Sequence, residues 1–516
     1  MRKSKKPENK QATVRAAAKP APHSKGKSAP VAPLPGVDAL LKPWKYPRTD
    51  AGNAELFAAI FKNQLRYNYT KNRWLVWREN WWEEDVNGQI VRAAKYATRR
   101  RFKAAIAIED EVLRKAEIKW AMQSESRPRL QSMLELSRAE RPLADSGTEW
   151  DSRPFLLGVK NGVVDLRSGK LRAGKTSDKI TLHSNIQFDP NAQCPRWEQF
   201  LVEIFAGDTE LIEFVQRAVG YSLSGDTSEQ VIFLCFGTGA NGKSTFLEVL
   251  REVAGGYGHN LPFSAFDLHA RSTIPNDVAA LDGRRFVTAI ETNESVQLNE
   301  ARMKALTGSD RVTARQLYKE FFTFIPRAKF WLAFNHRPYV ADDSPGFWRR
   351  IRLIPFLVQF PEGTADKELM PNLKAEAPGI LSWAVRGALA WKNNGLGMPS
   401  VVKQASEAYR EESDPLEDFI VERCVTEPEA HCTAAALWDE YKSWATENRV
   451  ERPLDRRAFS RHLETRGLKK IRTGHDRTWT WFGIGLEPEV NAVEALMGSD
   501  KSTRADADVK RATVAN

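Results

Sequence analysis

The stretch Gln230–Ser244, with the sequence QVIFLCFGTGANGKS, decides the fold of this chain. It opens with the apolar run Gln230–Phe236, which is typical of a parallel strand buried on both faces. The next eight residues, Gly237 to Ser244, match the pattern GxxxxGK[ST], and the apolar segment Phe246–Val253 then favours a helix. Strand, glycine-rich loop and helix in this order predict an α/β fold built on a phosphate-binding loop.

Each residue type in the loop has a physical reason. Glycines let the backbone curl so that several N–H groups converge at a helix N-terminus, where the dipole favours anions. Lys243 is expected to place its charge on the β and γ phosphates of ATP, and Ser244 to offer its hydroxyl to Mg²⁺. The residues expected to contact the nucleotide are Gly237, Thr238, Gly239, Ala240, Asn241, Gly242, Lys243, Ser244 and Thr245.

Two further apolar segments end in polar residues suited to hydrolysis. Arg285–Ile290 is followed by Glu291, about 48 residues after Lys243, and Glu294 lies just beyond. Glu291 is expected to hold the Mg²⁺ water shell, and Glu294 to orient and deprotonate the attacking water. Ala328–Phe334 is followed by Asn335, whose amide is expected to contact both the γ phosphate and that water.

An arginine pair, Arg349 and Arg350, follows Asn335 by 14 and 15 residues. Such pairs commonly form ordinary salt bridges. At this spacing, one arginine can instead act as a finger that crosses a subunit boundary, an effect worth roughly 10³ to 10⁵ in rate. The second alternative predicts an active site shared between subunits.

Length and composition restrict the class of protein. The 516 residues suffice for two to four domains. No apolar run is long enough to span a membrane, and the N-terminus lacks the apolar segment of a secretory signal. The four cysteines form no CxxC pair, so we predict neither disulfides nor a zinc ribbon, and a location in a reducing cytoplasm.

The net charge of +11 is unevenly distributed. Residues 1–48 carry 12 Lys and Arg against Glu8 and Asp38, so the remaining chain is almost neutral. Residues 1–43 are rich in Lys, Ala, Pro and Ser and are predicted to be disordered. A tether to nucleic acid and a merely solubilising tail are equally favoured alternatives for this segment.

The rest of the chain divides by its periodicity. Residues 64–91 alternate apolar and polar positions, which predicts strands with a hairpin turn at Asn87-Gly88. Residues 89–140 are helical in pattern, and their run Arg99-Arg100-Arg101 is interpreted as a solvated face. Residues 155–173 predict a β-meander with a type I′ turn at Asn161-Gly162. The predicted domains are a disordered basic tail (1–43), an N-terminal mixed α/β domain (44–195), an ATPase core (196–365), a helical linker (366–413), a winged-helix-like domain (414–486) and a disordered tail (487–516).

The C-terminal pattern predicts two helices followed by two strands. The helices are Ala434–Asn448 and Arg456–Thr465, and the strands are Lys469–Arg472 and Thr478–Phe482. This order is typical of a winged helix. Its basic side chains either engage duplex DNA or a replication partner, or form a solvated face; they are Arg456, Arg457, Arg461, Lys469 and Lys470.

Several of these segments together resemble the superfamily 3 helicases, and more closely the phage and plasmid primase–helicase family. The resemblance extends across about residues 70–485 and is carried by FGTGANGKSTFLEVL, IETNE, AFNHRP and FWRRIRLIPF, among others. It implies an AAA+-type ATPase core that uses ATP and Mg²⁺. It also implies a homo-oligomeric ring, a hexamer, that translocates on single-stranded DNA, typically 3′ to 5′.

The resemblance further implies a DNA-contacting hairpin, here Arg311–Phe324 with Tyr318-Lys319-Glu320 at its turn. Lys319 is the expected phosphate contact, and Arg315 and Lys304 are expected to support it. Without the resemblance, a solvated turn lysine is the favoured interpretation.

One departure from the family concerns primer synthesis. Members often carry an upstream primase–polymerase domain, but only about 150 residues precede the meander, and over 40 of these are predicted to be disordered. We therefore expect no primer synthesis by this chain. Either a separate primase is its partner, or the basic tail takes the place of one.

The leading hypothesis is an ATP-dependent DNA helicase of phage, prophage or plasmid replication, acting on single-stranded and forked DNA. A second hypothesis is another AAA+ machine, such as a DNA-packaging motor or a remodelling ATPase, although no acid cluster of a packaging nuclease is present. A third is an ATP-gated origin-binding protein. The complete set of Lys243, Glu291, Asn335 and the arginine pair argues against this third, non-enzymatic alternative.

Overall fold

The computed structural model describes most of the chain between residues 42 and 487. The described ranges are 42–268, 276–291, 297–308, 310–315, 321–340, 344–361, 363, 366–414, 416–450, 453–474 and 476–487. The tails predicted to be disordered lie almost entirely outside these ranges. Within them, residues up to Val76 and Glu84–Gly147 form one compact unit, and Trp77–Glu83 and the chain from Thr148 onward form a second.

The chain up to Asp145 combines four helices with short strands. The helices are α1 (Asp50–Phe61), α2 (Gln89–Ala105), α3 (Glu111–Ser124) and α4 (Arg127–Ser137), and the strands are β1 (Leu65–Asn68), β2 (Arg73–Arg78), β3 (Trp81–Glu84) and β4 (Ala144–Asp145). β1 pairs antiparallel with β2 and parallel with β4. Buried apolar residues of α1, α2 and α4, including Phe57 and Phe61, form the core of the first unit.

The predicted hairpin turn at Asn87-Gly88 is wrong, because this dipeptide leads into α2. The Asp85 carboxylate accepts hydrogen bonds from the backbone N–H groups of Gln89, at 2.8 Å, and Ile90, at 3.1 Å. A carboxylate in this position satisfies donors that have no partner at the start of a helix. Local capping chemistry therefore replaces the turn that the dipeptide suggested.

The arginine run of α2 is not uniformly solvated. Arg101 is only 1% exposed, and its Nε lies 2.9 Å from Oε2 of Glu117, which is also buried. Arg99, by contrast, is exposed and forms a surface ion pair with Glu125. The run thus contributes one internal ion pair as well as a solvated face.

The predicted β-meander is confirmed as three antiparallel strands, β5 (Leu156–Val159), β6 (Gly162–Asp165) and β7 (Lys170–Arg172). The predicted type I′ turn is wrong, because neither loop residue, Lys160 or Asn161, has a positive φ. The Asn161 side chain instead exchanges two hydrogen bonds of 2.9 Å with the backbone of Phe188. A tertiary contact thus determines this turn.

The meander packs with the helices that follow it. Leu157 and Val164 lie in the same buried cluster as Trp197 and Phe200 of α5 (Pro195–Ile204). The helix α6 (Thr209–Leu223) belongs to this cluster too. The domain boundary predicted at residue 195 therefore falls inside the second compact unit, which includes the chain from Thr148 onward.

The centre of the second unit is a five-stranded parallel sheet in the order β14-β8-β13-β10-β9. Its continuous apolar strands are buried by helices, as expected for parallel strands. The elements of this region are β8 (Ile232–Phe236), α7 (Lys243–Ala254), β9 (Gly258–Asn260), α8 (Asn276–Ala279), β10 (Phe286–Ile290), α9 (Glu300–Thr307), β11 (Val312–Arg315), β12 (Phe321–Phe324), β13 (Lys329–Phe334), α10 (Pro345–Trp348) and β14 (Ile351–Pro355).

Helices and a small C-terminal module complete the described chain. The predicted helical stretch is confirmed as α11 (Leu369–Ala375), α12 (Ala377–Asn394) and α13 (Ser400–Glu412). The module contains α14 (Glu417–Arg423), β15 (Cys424–Val425), β16 (His431–Thr433), α15 (Ala434–Glu447), α16 (Arg456–Thr465), β17 (Lys469–Thr473), β18 (Thr478–Phe482) and β19 (Gly485–Leu486). The two predicted strands pair with each other, and β16, which the sequence pattern missed, joins the other side of β18. None of the helices in the described part of the chain is long and apolar enough to cross a membrane.

Candidate active site at the carboxyl end of the parallel sheet

The order of the strands brings the predicted site residues to one edge. After β8, the chain crosses to the far edge of the sheet through α7, whereas after β13 it crosses in the opposite direction to β14. The carboxyl ends of β8 and β13 therefore flank a topological switch point, where ligands of open α/β sheets bind. Phe236 pairs with Phe334, so Gly237 and Asn335 leave the sheet side by side.

Lys243 is the residue that joins these two ends. Its Nζ donates hydrogen bonds to Gly237 O at 2.5 Å, to Asn241 Oδ1 at 3.0 Å and to Asn335 Oδ1 at 3.2 Å. The side chain is only 5% exposed, and burial lowers the pKa of its ammonium group. All three acceptors are neutral oxygens, so the charge of Lys243 has no carboxylate partner among the described residues.

Two glycines of the loop, Gly237 and Gly242, are required by close contacts. A Cβ on Gly237 would lie 2.4 Å from Phe356 O, and a Cβ on Gly242 would lie 2.6 Å from a methyl group of Ile204. Gly242 has a φ of +83° and immediately precedes α7, which begins at Lys243. The first N–H groups of a helix have no acceptor within it, so this loop presents donors to an anion.

Glu291 lies one strand away from Asn335, at the same edge. Its backbone N–H donates to Ala333 O at 2.9 Å, which continues the pairing of β10 with β13. Burial raises the pKa of its carboxyl group to about 7, an increase that backbone N–H groups of His336 and Asn335 partly offset. Both carboxylate oxygens are buried without a well-formed hydrogen bond within the described residues.

The donor set fits a magnesium ion that is carried by a phosphate ligand. Ser244 is exposed at the start of α7, and Glu291 offers its two buried carboxylate oxygens. No cluster of three or more His, Cys, Asp or Glu suited to a metal occurs in the described ranges. Mg²⁺ commonly binds through one or two protein oxygens together with phosphates and waters, so a small donor set is sufficient.

Arg349 and Arg350 lie at the other end of the sheet. They immediately precede β14, whose first residue Ile351 pairs with Ile232 at the start of β8. Nη2 of each arginine approaches Oε1 of Gln230, at 3.1 Å from Arg349 and 3.4 Å from Arg350. The five residues of β8, roughly 17 Å at 3.3 Å per residue, separate this amino-terminal edge from the loop of the same chain.

The predicted DNA hairpin is present as two paired strands. β11 and β12 are antiparallel, with Arg315 opposite Phe321. The Arg315 guanidinium lies 5.3 Å from the centroid of the Phe321 ring, and Lys304 Nζ donates to Ser344 Oγ at 3.0 Å. The turn with Tyr318, Lys319 and Glu320, like Glu294, lies outside the described residues.

A segment that the sequence pattern did not single out braces the phosphate-binding loop. The backbone N–H of Phe356 donates to Phe236 O at 2.7 Å, and that of Phe360 donates to Ala240 O at 2.8 Å. Gln359 Nε2 donates to Thr238 Oγ1. Phe356 ends the segment FWRRIRLIPF, but residues 357–360 match no motif, so only their position beside the loop identifies them.

Arg337 was also missed by the sequence pattern. Its guanidinium lies 4.7 Å from the ring centroid of Phe236, the last residue of β8, and pairs with Glu412 at the end of α13. The segment after Asn335 is thereby fixed to α13. A basic residue three positions after a strand gives no signal of such a contact.

Two protein-family models match the chain. The model described as "D5 N terminal like" matches residues 54–206, and the model described as "Family of unknown function (DUF5906)" matches residues 235–350. The second match begins in β8 and ends at Arg350. It therefore contains Lys243, Glu291, Asn335 and the arginine pair.

Curated viral proteins are also similar to the chain. A protein named "putative helicase" from Acanthamoeba polyphaga mimivirus is 30% identical over 297 residues, which is 52% of this chain and 30% of that protein. A "putative helicase" of Frog virus 3 is 23% identical, over 66% of this chain and 43% of that protein. A "putative primase" of African swine fever virus is 26% identical, over 62% of this chain and 36% of that protein. The chain thus spans less than half the length of these relatives.

Among solved structures, the apo form of the NrS-1 C-terminal region is similar over 83% of this chain and 98% of that chain, with a TM-score of 0.45 and 10% identity. The chain is thus similar over residues 54–206 to the D5 N terminal like family, and over half or more of its length to viral proteins named as helicases and primases, which supports a relationship to the phage-type primase–helicases.

Proposed function

We propose that the protein is an ATP-dependent DNA helicase of viral or plasmid replication, and that it works as a ring with ATP hydrolysed between subunits. The observation that carries this proposal is the position of Lys243. Its ammonium group lies at the switch point of the sheet, between the loop carbonyl of Gly237 and the amide of Asn335. The names of the viral relatives support a role in DNA replication.

The neutral partners of Lys243 suit a triphosphate. A buried ammonium without a counter-ion is stabilised when an anion arrives, because the desolvation cost is then compensated by Coulomb attraction. The Nζ contact to Asn335 gives this amide a direct link to the position of the terminal phosphate. Asn335 would then distinguish ATP from ADP by the presence of that phosphate.

Ser244 and Glu291 are the residues that would hold Mg²⁺. The ion, when bound with ATP, supplies charge neutralisation on the phosphate oxygens. Burial raises the pKa of Glu291 to about 7 without a metal, and a bound cation would lower it again, so Glu291 is assigned to the Mg²⁺ side. By its position in the sequence, Glu294 is the proposed base for the attacking water.

The opposite placement of the arginine pair supports a shared site. Within one chain, Arg349 and Arg350 lie across the length of β8 from Lys243. A ring that stacks the amino-terminal edge of one subunit against the carboxyl edge of the next would bring an arginine to the neighbour's nucleotide. The hairpin β11–β12, with Lys319 at its turn and Arg315 and Lys304 as support, is the proposed contact to DNA in the central channel.

The direct test measures ATP hydrolysis and strand displacement on a forked duplex. The wild type is expected to hydrolyse ATP faster when single-stranded DNA is added, and to displace one strand. Native mass with an ATP analogue and single-stranded DNA should give a closed oligomer. A strict monomer would remove the shared-site mechanism, and DNA-stimulated hydrolysis without displacement would favour a remodelling or packaging motor.

A further inference from the structure

The C-terminal module is electrically polarised along the chain. Residues 416–450, which contain α14 and α15, carry eight acidic and three basic side chains. Residues 453–487, which contain α16, β17 and β18, carry four acidic and eight basic side chains. The two halves share one apolar core around Phe419, Tyr441 and Trp481, so opposite charges are held on one small body.

The basic side chains of the second half face solvent. Arg457 and Arg461 are exposed on α16, one helical turn apart, and within the described residues neither forms an ion pair. Arg472 is exposed on β17, on the face of the sheet that it shares with its partner Trp479. We call Arg457, Arg461 and Arg472, together with Trp479, the basic face.

An aromatic ring lies among these cations. Trp479 of β18 is 45% exposed, and it pairs with Arg472 in the β17–β18 ladder. The Arg472 guanidinium lies 4.8 Å from its ring centroid, and Lys470 Nζ lies 5.8 Å away. Lys470 Nζ also reaches Ser460 Oγ at 3.5 Å, so the ring lies close to α16.

A comparison with Trp481 on the same strand shows that this exposure is specific to Trp479. Trp481, two residues further along β18, points to the same face of the sheet but is completely buried in the core. Trp479 lies just beyond the edge of that core. A large apolar ring in solvent can stack on nucleic-acid bases, and the cations beside it can bind phosphates.

We propose that the basic face is a second DNA-binding surface, separate from the hairpin β11–β12, and that it binds single-stranded DNA. Arg457, Arg461 and Arg472 contact phosphates, and Trp479 stacks on an unpaired base. Single-stranded DNA is favoured over duplex, because only unpaired bases offer a face to a ring on a flat surface. This inference extends the proposed function, since it adds a site that acts without nucleotide.

The experiment measures binding of fluorescein-labelled oligothymidine to the full chain without ATP, as a function of salt. Arg457→Gln/Arg461→Gln is expected to reduce the slope of log affinity against log salt by about 1.4, that is, about 0.7 for each single-strand phosphate that the variant no longer neutralises. Trp479→Ala is expected to lower affinity roughly 5- to 100-fold while leaving the slope unchanged. Trp479→Phe should retain most of the affinity.

A matched control removes the same charge from the acidic half of the module. Lys442→Gln/Arg449→Gln also deletes two positive charges, and it should leave affinity and slope within error of the wild type. If the basic-face variants behave like this control, the proposal is wrong. If they weaken binding of a blunt duplex but not of oligothymidine, the assignment to single strands is wrong.

Failure of this inference is distinguishable from failure of the proposed function. Lys243→Ala should bind oligothymidine normally without nucleotide, whereas the basic-face variants should keep their hydrolysis rate without DNA. Loss of ATP hydrolysis in the wild type would contradict the proposed function alone. Far-ultraviolet circular dichroism and thermal unfolding of each variant would detect any loss of structure.

Discussion

Two buried lysines, Lys243 at the start of α7 and Lys329 at the start of β13, have the same kind of partners but very different surroundings. Lys329 Nζ donates to the backbone carbonyls of Ser224, Asp226 and Arg327, the last at 2.9 Å. Lys243 also donates to three neutral oxygens. Burial lowers the pKa of both ammonium groups, and that of Lys329 falls well below its ordinary value.

The difference between them lies in what the partners can do. Every partner of Lys329 is a backbone carbonyl, and the residue is enclosed at the amino end of β13, where all three of its N–H donors are used. Two partners of Lys243 are side-chain amides, which can rotate, and its neighbour Ser244 is exposed. Burial and hydrogen bonding therefore do not distinguish the two lysines, and the proposed role of Lys243 depends on its exchangeable partners beside a helix N-terminus.

The largest effect is expected at the amino-terminal edge of the sheet, where Lys329 has a structural role. The prediction tests whether residues at this edge also take part in catalysis. Arg349→Ala/Arg350→Ala is expected to lower DNA-stimulated ATP hydrolysis by roughly 10³-fold or more, because the transition state loses a positive charge supplied by a neighbouring subunit. Steady-state phosphate release would measure this. Mixing this variant with Lys243→Ala should recover part of the activity, since some mixed interfaces contain both intact halves; no recovery would indicate that the arginines act within their own chain.

The second largest effect tests whether Lys243, unlike Lys329, acts in hydrolysis rather than in stability. Lys243→Ala should lower ATP hydrolysis by roughly 10²- to 10³-fold, a loss similar to that of other single charge-stabilising donors. Its melting temperature should change little, because removing a buried cation also removes its desolvation cost. Calorimetry together with phosphate release would separate the two outcomes, and a strongly destabilised variant would make Lys243 a structural residue like Lys329.

Lys329→Met should have the opposite profile. The substitution leaves three buried carbonyls without a donor, and we expect a loss of about 1–3 kcal/mol in the free energy of unfolding. Urea titration followed by circular dichroism would measure it. Lys243→Met is the matched control. Equal destabilisation of the two variants would mean that Lys243 and Lys329 have the same structural role.

The smallest effect concerns the pH dependence of stability. With a pKa of about 7 in place of 4.5, Glu291 binds a proton in the folded protein that the unfolded chain has released between these values. Its contribution to stability is therefore lost as the pH rises through this window. Between about pH 5 and pH 8, without Mg²⁺, the wild type should lose more thermal stability than Glu291→Gln. Parallel curves would mean that this carboxyl group titrates normally.

Much of the sheet was predictable, because its signals are local. The strands ending at Phe236, Ile290 and Phe334 agree with the predicted apolar runs to within two residues, since buried parallel strands need continuous apolar side chains. The loop glycines were predictable for a similar reason, because GxxxxGK[ST] encodes backbone curvature. The helix and strands of α16, β17 and β18 also agree closely with their predicted bounds.

The errors occurred where a short motif competes with a longer-range contact. Asn87-Gly88 suggested a hairpin, but Asp85 caps a helix there. Asn161-Gly162 suggested a type I′ turn, but Phe188 binds the asparagine side chain. Arg101 appeared in a surface charge run, but Glu117 pairs with it in the interior. In each case, the deciding partner is a side chain or backbone group that the dipeptide or run itself does not contain.

The sequence by itself determined the strands, the phosphate-binding loop and the residue types of the candidate site, because these depend on apolar periodicity and on backbone geometry within a few residues. Only the tertiary structure decided which of those residues meet. It brought Asn335 to Lys243 across 92 positions, separated both from Arg349 by the length of a strand, and left Trp479 in solvent while Trp481 was buried. Contacts of this kind depend on strand order and on packing between distant segments, which no local pattern encodes.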